Sequence, residues 1–294
     1  MKILHAALIA LFLLLPVAAQ AEDTPDVAKH VFVGQTDIAL PNVLGYKEIY
    51  GSNEEFDNLA KQFVPPENRL LAVYLSYTDI KAMNENPDAG FKRYILVQTA
   101  KNDVTLKTPS DFDVIKAEII KGAGGDFTND KKTRDLLDSA SNYVSDYYHK
   151  TAQLDVGEVK NIGAFINTDK AIAIAMLANI GMKTPDGVDR QYALASAVTA
   201  VAVHDKVIFA NIYSNYEGAA DAQFVRDSAK DFVDFTLKAN MGATATAATG
   251  GSGEMDAFLN LAIRGTFVLC IILLIGFAMP HVIRHFSKDR DERR

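Results

Sequence analysis

A continuous apolar run near the C-terminus constrains this chain more than any other feature. The run covers 265–283, about 19 residues, which is roughly the length that a helix needs to cross ~30 Å of hydrocarbon. Five basic residues follow it within 284–294, the composition that the positive-inside rule gives to a cytoplasmic flank. We therefore expect a membrane anchor over 257–283, with its core at 265–283, and a basic cytoplasmic tail over 284–294.

The N-terminus has the layout of a cleavable secretory signal. Lys2 precedes an apolar stretch, and an A-x-A cleavage signature ends at Ala21. A signal over 1–21 and an anchor near the other end predict a single-pass protein of the bacterial inner membrane, in contact with its lipid through the anchor. The domain between them, 22–240, is then expected in the periplasm, and the C-terminus in the cytoplasm.

A segment of small residues separates this domain from the anchor. Residues 242–253 are all Gly, Ala, Thr or Ser, which cannot bury enough apolar surface to order themselves. We expect a flexible linker over 241–256, in which a 12-residue tether has an r.m.s. span on the order of 20 Å. Such a tether favours a membrane-bound envelope protein as the partner of the domain.

Charge and cysteine usage narrow the class of protein. The chain has 30 Lys and Arg against 37 Asp and Glu, a formal net charge of −7. This balance argues against nucleic acid or anionic lipid as the main partner, because each requires a concentrated basic surface. The single cysteine, Cys270, lies in the apolar run, so the exported domain must be stabilised by its core without a disulfide.

Helical and strand patterns alternate within 22–240 and predict an α+β fold. The last four predicted strands form an antiparallel meander, which helices cover. In the first strand, Leu71, Val73 and Leu75 are expected on one face. Helices are predicted over 53–63, 108–122, 130–150 and 219–239, and strands over 69–77, 91–99, 153–166, 171–180, 191–203 and 207–216.

One face of the meander is expected to be shallow. Alanines alternate with larger apolar residues along 171–176, and small side chains allow a helix to approach a sheet closely. The last helix offers a stripe of Phe224, Ser228, Phe232 and Phe235 for that contact.

A hairpin over 197–213 is followed by a long helix that ends near Asn240. In element order this unit resembles the closing unit of the PsbP-like α/β sandwich, named for extrinsic subunits at the lumenal side of photosystem II. The resemblance implies a binding or assembly role, because members of that group are mostly non-catalytic. It transfers no site residues to this chain.

Histidine spacing gives no metal or cofactor site. The domain's histidines, His30, His149 and His204, are too far apart in sequence for a zinc pattern. His204 beside Asp205 is better explained as a strand-linking turn than as part of a catalytic triad, because adjacent residues point in different directions. We therefore expect no metal and no cofactor, and we assign no catalytic residue.

Three further motifs have structural interpretations. The glycines of 122–125 lack the Lys-Ser/Thr ending of a phosphate loop, and 186–189 lacks the remaining ligands of a calcium loop. A tyrosine cluster is more typical of the core and rim of a helix than of a ligand platform. The role of this cluster, like that of Cys270, stays open. Its members are Tyr143, Tyr147 and Tyr148.

Two function classes follow from these observations. The first is a non-catalytic binding or accessory protein of the bacterial envelope, held at the membrane by its anchor. The alternative is an envelope enzyme of hydrolase type, whose Asp, Glu or Tyr residues are dispersed along the chain and meet only in the fold. A convergent pocket of carboxylates with raised pKa values would favour the enzyme.

Overall fold

Helices cover a large antiparallel sheet in the part of the chain that the computed structural model describes, so the predicted α+β fold is confirmed. The predicted signal, anchor, tail and nearly all of the predicted linker lie outside the described residues. Among the described residues, no helix is long and apolar enough to cross a membrane. The described residues are 26–62, 64–86, 91–102, 104–124, 153–183 and 189–241, with separate positions between 134 and 145.

Strands dominate the described residues. The strands are β1 (Val27–Val33), β2 (Thr36–Pro41), β3 (Tyr46–Glu48), β4 (Asn68–Ser76), β5 (Arg93–Ala100), β6 (Gln153–Asn167), β7 (Ala171–Lys183), β8 (Asp189–Val203) and β9 (Lys206–Asn215). The helices are α1 (Glu54–Gln62), α2 (Tyr77–Glu85), α3 (Pro109–Ala123) and α4 (Ala219–Ala239). Seven strands form one sheet in the order β3-β4-β5-β9-β8-β7-β6, and β1 and β2 form a separate hairpin. The consecutive neighbours β6 to β9 confirm the predicted meander.

The predicted helix starts are confirmed by their capping bonds. The Asn53 side chain accepts a hydrogen bond from the Phe56 backbone N–H at 2.9 Å and caps α1. At α3, Thr108 and Asp111 form a reciprocal capping box, and Pro109 occupies the first turn. Local sequence signals therefore determine where these two helices begin.

Different helices pack against the two faces of the sheet. One face packs against α1 and α3, and α3 contributes Phe112, Ile115 and Ile119, which recur at the helical period. The other face carries alanines such as Ala171 and Ala197 and packs against α4 and the β1–β2 hairpin. The predicted shallow face is therefore the one that a helix covers, as the alternation of small residues indicated.

The stripe predicted for α4 is correct only in part. Ser228 and Phe232 are buried and Phe224 is partly buried, but Phe235 is 37% exposed. The buried stripe is centred on Val225, Ala229 and Phe232, which recur at the helical period, and Phe235 falls at its edge.

One strand face was predicted wrongly. Leu71 packs in the layer under α4, whereas Val73 and Leu75 pack in the layer under α3. An irregularity in the pairing of β4 with β5 between Leu70 and Ala72 causes this, because one extra residue reverses the alternation of side chains.

A short helix, α2, was not predicted. Tyr77 was assigned to the end of a strand, but it begins α2 directly after β4. The Ser76 hydroxyl accepts a hydrogen bond from the Asp79 backbone N–H at 3.0 Å, so Ser76 is the N-cap. The buried Asp79 carboxylate in turn accepts hydrogen bonds from the Lys92 and Arg93 N–H groups, at 3.0 and 2.7 Å, and fixes α2 to the start of β5.

The β1–β2 hairpin was also not predicted. Gly34 adopts φ +60° in its turn, a conformation that glycine reaches without steric cost. The Thr36 hydroxyl donates to the Asp205 carboxylate at 3.1 Å and ties the hairpin to the main sheet. The β8–β9–α4 unit that resembles the PsbP-like sandwich is present as predicted, and the resemblance itself stays a prediction.

Candidate functional site

Three segments that are distant in sequence enclose a cleft at one end of the sheet, which we call the His204 cleft. The segments are 106–113 at the start of α3, the β6–β7 turn and the end of β8, and the cleft has a volume of about 420 Å³. Backbone hydrogen bonds hold the segments together. The Leu106 N–H donates to the Asp205 carbonyl at 2.7 Å, and the Ala202 N–H donates to the Lys170 carbonyl at 2.8 Å.

We call the apolar residues that line the cleft its floor and the polar ones its rim. The floor residues are Leu106, Pro109, Phe112 and Ala202. The rim residues are Lys107, Thr108, Asp113, Asp169, Lys170 and His204. A concave site with an apolar floor and a few polar groups is the usual form of a small-molecule binding site.

His204 has an uncommon backbone conformation at the rim. Its φ of +55° lies in the left-handed region, where few residues other than glycine are found. The Nε2 atom of its imidazole is buried and makes no hydrogen bond to the residues that the structure describes. The tight turn predicted at this position is confirmed, with His204 and Asp205 as its two residues and Lys206 already in β9.

The two rim lysines differ from the neighbouring Lys116. The Lys116 ammonium lies 2.7 Å from the Asp113 carboxylate and donates to the Thr168 carbonyl at 3.0 Å. Within the described residues, neither Lys107 nor Lys170 has a carboxylate within 4.0 Å of its ammonium. The cleft therefore presents two ammonium groups that are not committed to an internal ion pair.

Asp111 stabilises the start of α3 beside the cleft. Its carboxylate accepts hydrogen bonds from the backbone N–H groups of Thr108 and Lys107, at 3.0 and 2.6 Å, and these bonds lower the pKa of its carboxyl. It also accepts a hydrogen bond from the Thr108 hydroxyl at 3.1 Å. The Asp111 carboxylate is thus used in capping the helix.

The buried ammonium group of Lys206 stabilises the β8–β9 turn. Lys206 is 3% exposed, and its ammonium donates to the Thr105 hydroxyl and lies 3.9 Å from the Asp205 carboxylate. A buried ammonium requires such partners because its desolvation is costly. These contacts fix the turn that carries His204.

The structure separates the other residues considered in the sequence. His30 lies on β1, where its Nδ1 is 3.1 Å from the Asp37 carboxylate at the surface. Among the described residues, no group of three or more His, Cys, Asp or Glu side chains could hold a metal ion. The remaining candidates lie outside the described residues, in whole or in their side chains: His149, Tyr143, Tyr147, Tyr148, Cys270 and the segment 186–189.

Carboxyls with raised pKa values lie on two different elements, and neither lines the cleft. Burial raises the pKa of Glu48 on β3, although Lys29 lies 3.5 Å away and the Tyr50 N–H donates to it at 2.9 Å. Partial burial and the nearby carboxylates of Asp227 and Asp234 raise the pKa of Asp231 on α4. The described residues do not show the convergent carboxylate pocket that would favour an enzyme.

Sequence reasoning did not identify Lys107 and Lys170 as site residues. Lys107 precedes the predicted helix start and Lys170 lies in a predicted turn, so both positions were visible as exposed loop positions. Only the fold brings them together with His204.

Comparisons with known proteins leave the family of the chain undefined. No protein-family model matches the chain, and no curated protein matches it either. A solved structure of a Mog1 mutant is similar over 72% of this chain and 92% of its own, at 12% identity and a TM-score of 0.26. The Ran-binding protein Mog1p of Saccharomyces cerevisiae is similar over 72% and 91%, at 13% identity and a TM-score of 0.24. TM-scores of this size support no statement about function.

Proposed function

We propose that this chain is a non-catalytic binding or accessory protein of the bacterial envelope, anchored in the inner membrane with its domain in the periplasm. The anchor is the predicted single transmembrane helix over 265–283, and the partner is a membrane-bound envelope protein. The PsbP-like resemblance of the β8–β9–α4 unit agrees with such a role.

The proposal rests mainly on one observation. Asn240, which directly precedes the tether sequence, is hydrogen-bonded to the folded domain. The Asn240 side chain accepts a hydrogen bond from the Ala39 N–H at 2.9 Å and donates to the Ala39 carbonyl at 2.8 Å. The end of α4 is therefore fixed to β2, and residues 242–253 follow from a fixed point on the domain. A domain on a tether of small residues searches for a partner near the membrane at high effective concentration.

The polar groups of the His204 cleft favour binding over catalysis. The Thr108 hydroxyl donates to Asp111, and the Asp113 carboxylate is held by Lys116. A catalytic hydroxyl needs an adjacent general base, whereas these groups are already used in structural contacts. The uncommitted lysines act through charge, which suits recognition of a ligand or partner.

An envelope enzyme of hydrolase type is the second candidate, and His204 is the observation that favours it. His204 lines the cleft, and its buried Nε2 makes no hydrogen bond to the described residues. Imidazole is the most frequent general acid or base in enzymes. Such an enzyme would act on a soluble substrate and would not need the anchor.

Crosslinking in intact cells tests the proposal. Tagged full-length protein is compared with a chain whose residues 242–253 are replaced by another flexible sequence of equal length, and with a chain that ends before Gly265. We expect the first two to recover the same membrane proteins in equal amounts, and the released chain to recover several times less. Equal recovery by the released chain would contradict tethering. Full complementation of a deletion strain by the released chain would favour the enzyme.

A further inference from the structure

We propose that the His204 cleft binds a small organic anion, a phosphate or carboxylate group attached to an apolar body. This site goes beyond the anchored binding role, because it depends only on groups within the folded domain.

The charged groups of the rim select an anion. Lys107 and Lys170 come from different turns and approach the same cleft, and neither ammonium is paired within 4.0 Å in the described part of the chain. His204 adds an imidazole nitrogen that is buried and unbonded among the described residues. Ammonium and imidazole N–H groups donate charge-assisted hydrogen bonds to phosphate and carboxylate oxygens.

The acidic residues of the rim do not cancel this preference. Lys116 neutralises Asp113 at 2.7 Å, so of the two rim carboxylates only Asp169 lacks an ammonium within 4.0 Å among the described residues. Asp111 also lies beside Lys107, but its carboxylate is held by the backbone N–H groups of Lys107 and Thr108 at the start of α3. The ammonium groups of Lys107 and Lys170 therefore stay available to a bound anion. Because the whole chain has a net charge of −7, an anion that binds here is recognised by this local geometry and not by the overall field.

The apolar residues of the floor indicate that the rest of the ligand is apolar. Leu106, Pro109, Phe112 and Ala202 contribute the apolar part of the lining of the cleft. The volume of about 420 Å³ falls in the range of ~300–1,000 Å³ that small-molecule sites occupy. An anionic group therefore lies at the rim with its apolar part on the floor.

Two kinds of ligand carry an anionic group on an apolar body: a free phosphate ester and an anionic phospholipid. The cleft lies near the end of the domain from which the tether starts. Thr36 at the start of β2 bonds to Asp205 in the His204 turn, and Ala39 in the same strand bonds to Asn240. Strand β2 therefore connects the turn beside the cleft with the residue that precedes the tether sequence, and the test includes both sources.

The test uses the full-length protein in neutral detergent micelles. Isothermal titration calorimetry with inorganic phosphate and glycerol phosphate measures the free anion. Short-chain phosphatidylglycerol, with short-chain phosphatidylcholine as its neutral counterpart, measures the lipid. The site variants are the double change Lys107→Gln with Lys170→Gln, and His204→Asn, because asparagine tolerates the left-handed backbone. The control is Lys81→Gln with Lys121→Gln, two exposed lysines of equal total charge that do not line the cleft.

Saturable binding of either phosphate probe supports the proposal when both site variants weaken it about tenfold or more and the control does not. Binding of phosphatidylglycerol alone, with the same dependence on the variants, supports the proposal with lipid as the source. Circular dichroism melting curves establish that the variants are folded. Absence of binding by all probes, or binding that the site and control variants change equally, overturns the site.

Discussion

The side chain of Asn240 pairs with the backbone of Ala39 as a neighbouring strand residue would. Its Oδ1 accepts from the Ala39 N–H at 2.9 Å and its Nδ2 donates to the Ala39 carbonyl at 2.8 Å. The Nδ2 group also donates to the Thr236 carbonyl at 2.8 Å, one turn earlier in α4. One amide therefore joins the last helix to the hairpin that covers the same face of the sheet.

Replacing Asn240 with alanine should destabilise the domain by about 1–3 kcal/mol, because it leaves two Ala39 backbone groups without their partner. Urea unfolding followed by circular dichroism measures this change. Lys238→Ala, an exposed position in the last turn of the same helix, is the matched control and is expected to change stability by less than about 0.5 kcal/mol. Equal effects of the two changes would contradict the proposed bridge.

Asp221 gives a prediction on acid stability. The Glu217 N–H donates to its carboxylate at 2.9 Å and Arg93 at 3.1 Å, and both lower the pKa of its carboxyl. A lowered pKa stabilises the fold above the ordinary Asp range of about 3.9 and loses this effect as pH falls through the folded value.

Asp221→Asn should therefore be less stable than the wild type at neutral pH, and the two should converge as pH falls below about 4. Urea midpoints between neutral and acid pH measure the difference. Asp26→Asn, an exposed position before β1, serves as the control. A wild-type advantage that is constant over this range would show that Asp221 acts without its charge.

Ala197 tests the shallow face under α4. It is fully buried in that layer and pairs with Ala175 and Ile212 on the neighbouring strands. Ala197→Leu should cost about 1–3 kcal/mol, because the added carbons push α4 away from the sheet. Ala164→Leu on the exposed edge strand β6 is the control. Equal unfolding midpoints of the two variants would show that the face tolerates larger side chains.

Local signals in the sequence predicted much of this fold. Thr108, Pro109 and Asp111 mark the start of α3 by chemistry that acts within four residues, and the structure shows that capping box. The meander was visible because its strands are long and follow one another directly. Helix α2 was missed because it begins without a break after β4, although Ser76 and Asp79 form a cap signature.

The His204 cleft was not predictable in the same way. Its rim joins Lys107, Lys170 and His204, which are separated by many residues and lie in unrelated turns. No periodicity links such positions, because the order of strands in the sheet brings them together. The bulge that turns Leu71 to the opposite face was also not predictable from local sequence, because it depends on the pairing of two strands.

The mature protein should begin at Glu22, because the A-x-A signature that ends at Ala21 fits signal peptidase. N-terminal sequencing of the protein purified from membranes gives the first residue directly. Ala21→Phe should block this cleavage and leave a longer chain, whereas Gln20→Ala, which leaves the small residues in place, should not. A wild-type chain that still begins at Met1 would contradict a cleaved signal.

Membrane topology tests the account most directly, because export, anchoring and tethering all depend on the orientation of the chain. Alkaline phosphatase, which is active only outside the cytoplasm, and a fluorescent protein that folds only inside it, are each fused after Asn240 and after Arg294. The basic residues after the apolar run predict phosphatase activity only at Asn240 and fluorescence only at Arg294. Fluorescence after Asn240 together with phosphatase activity after Arg294 would contradict the account.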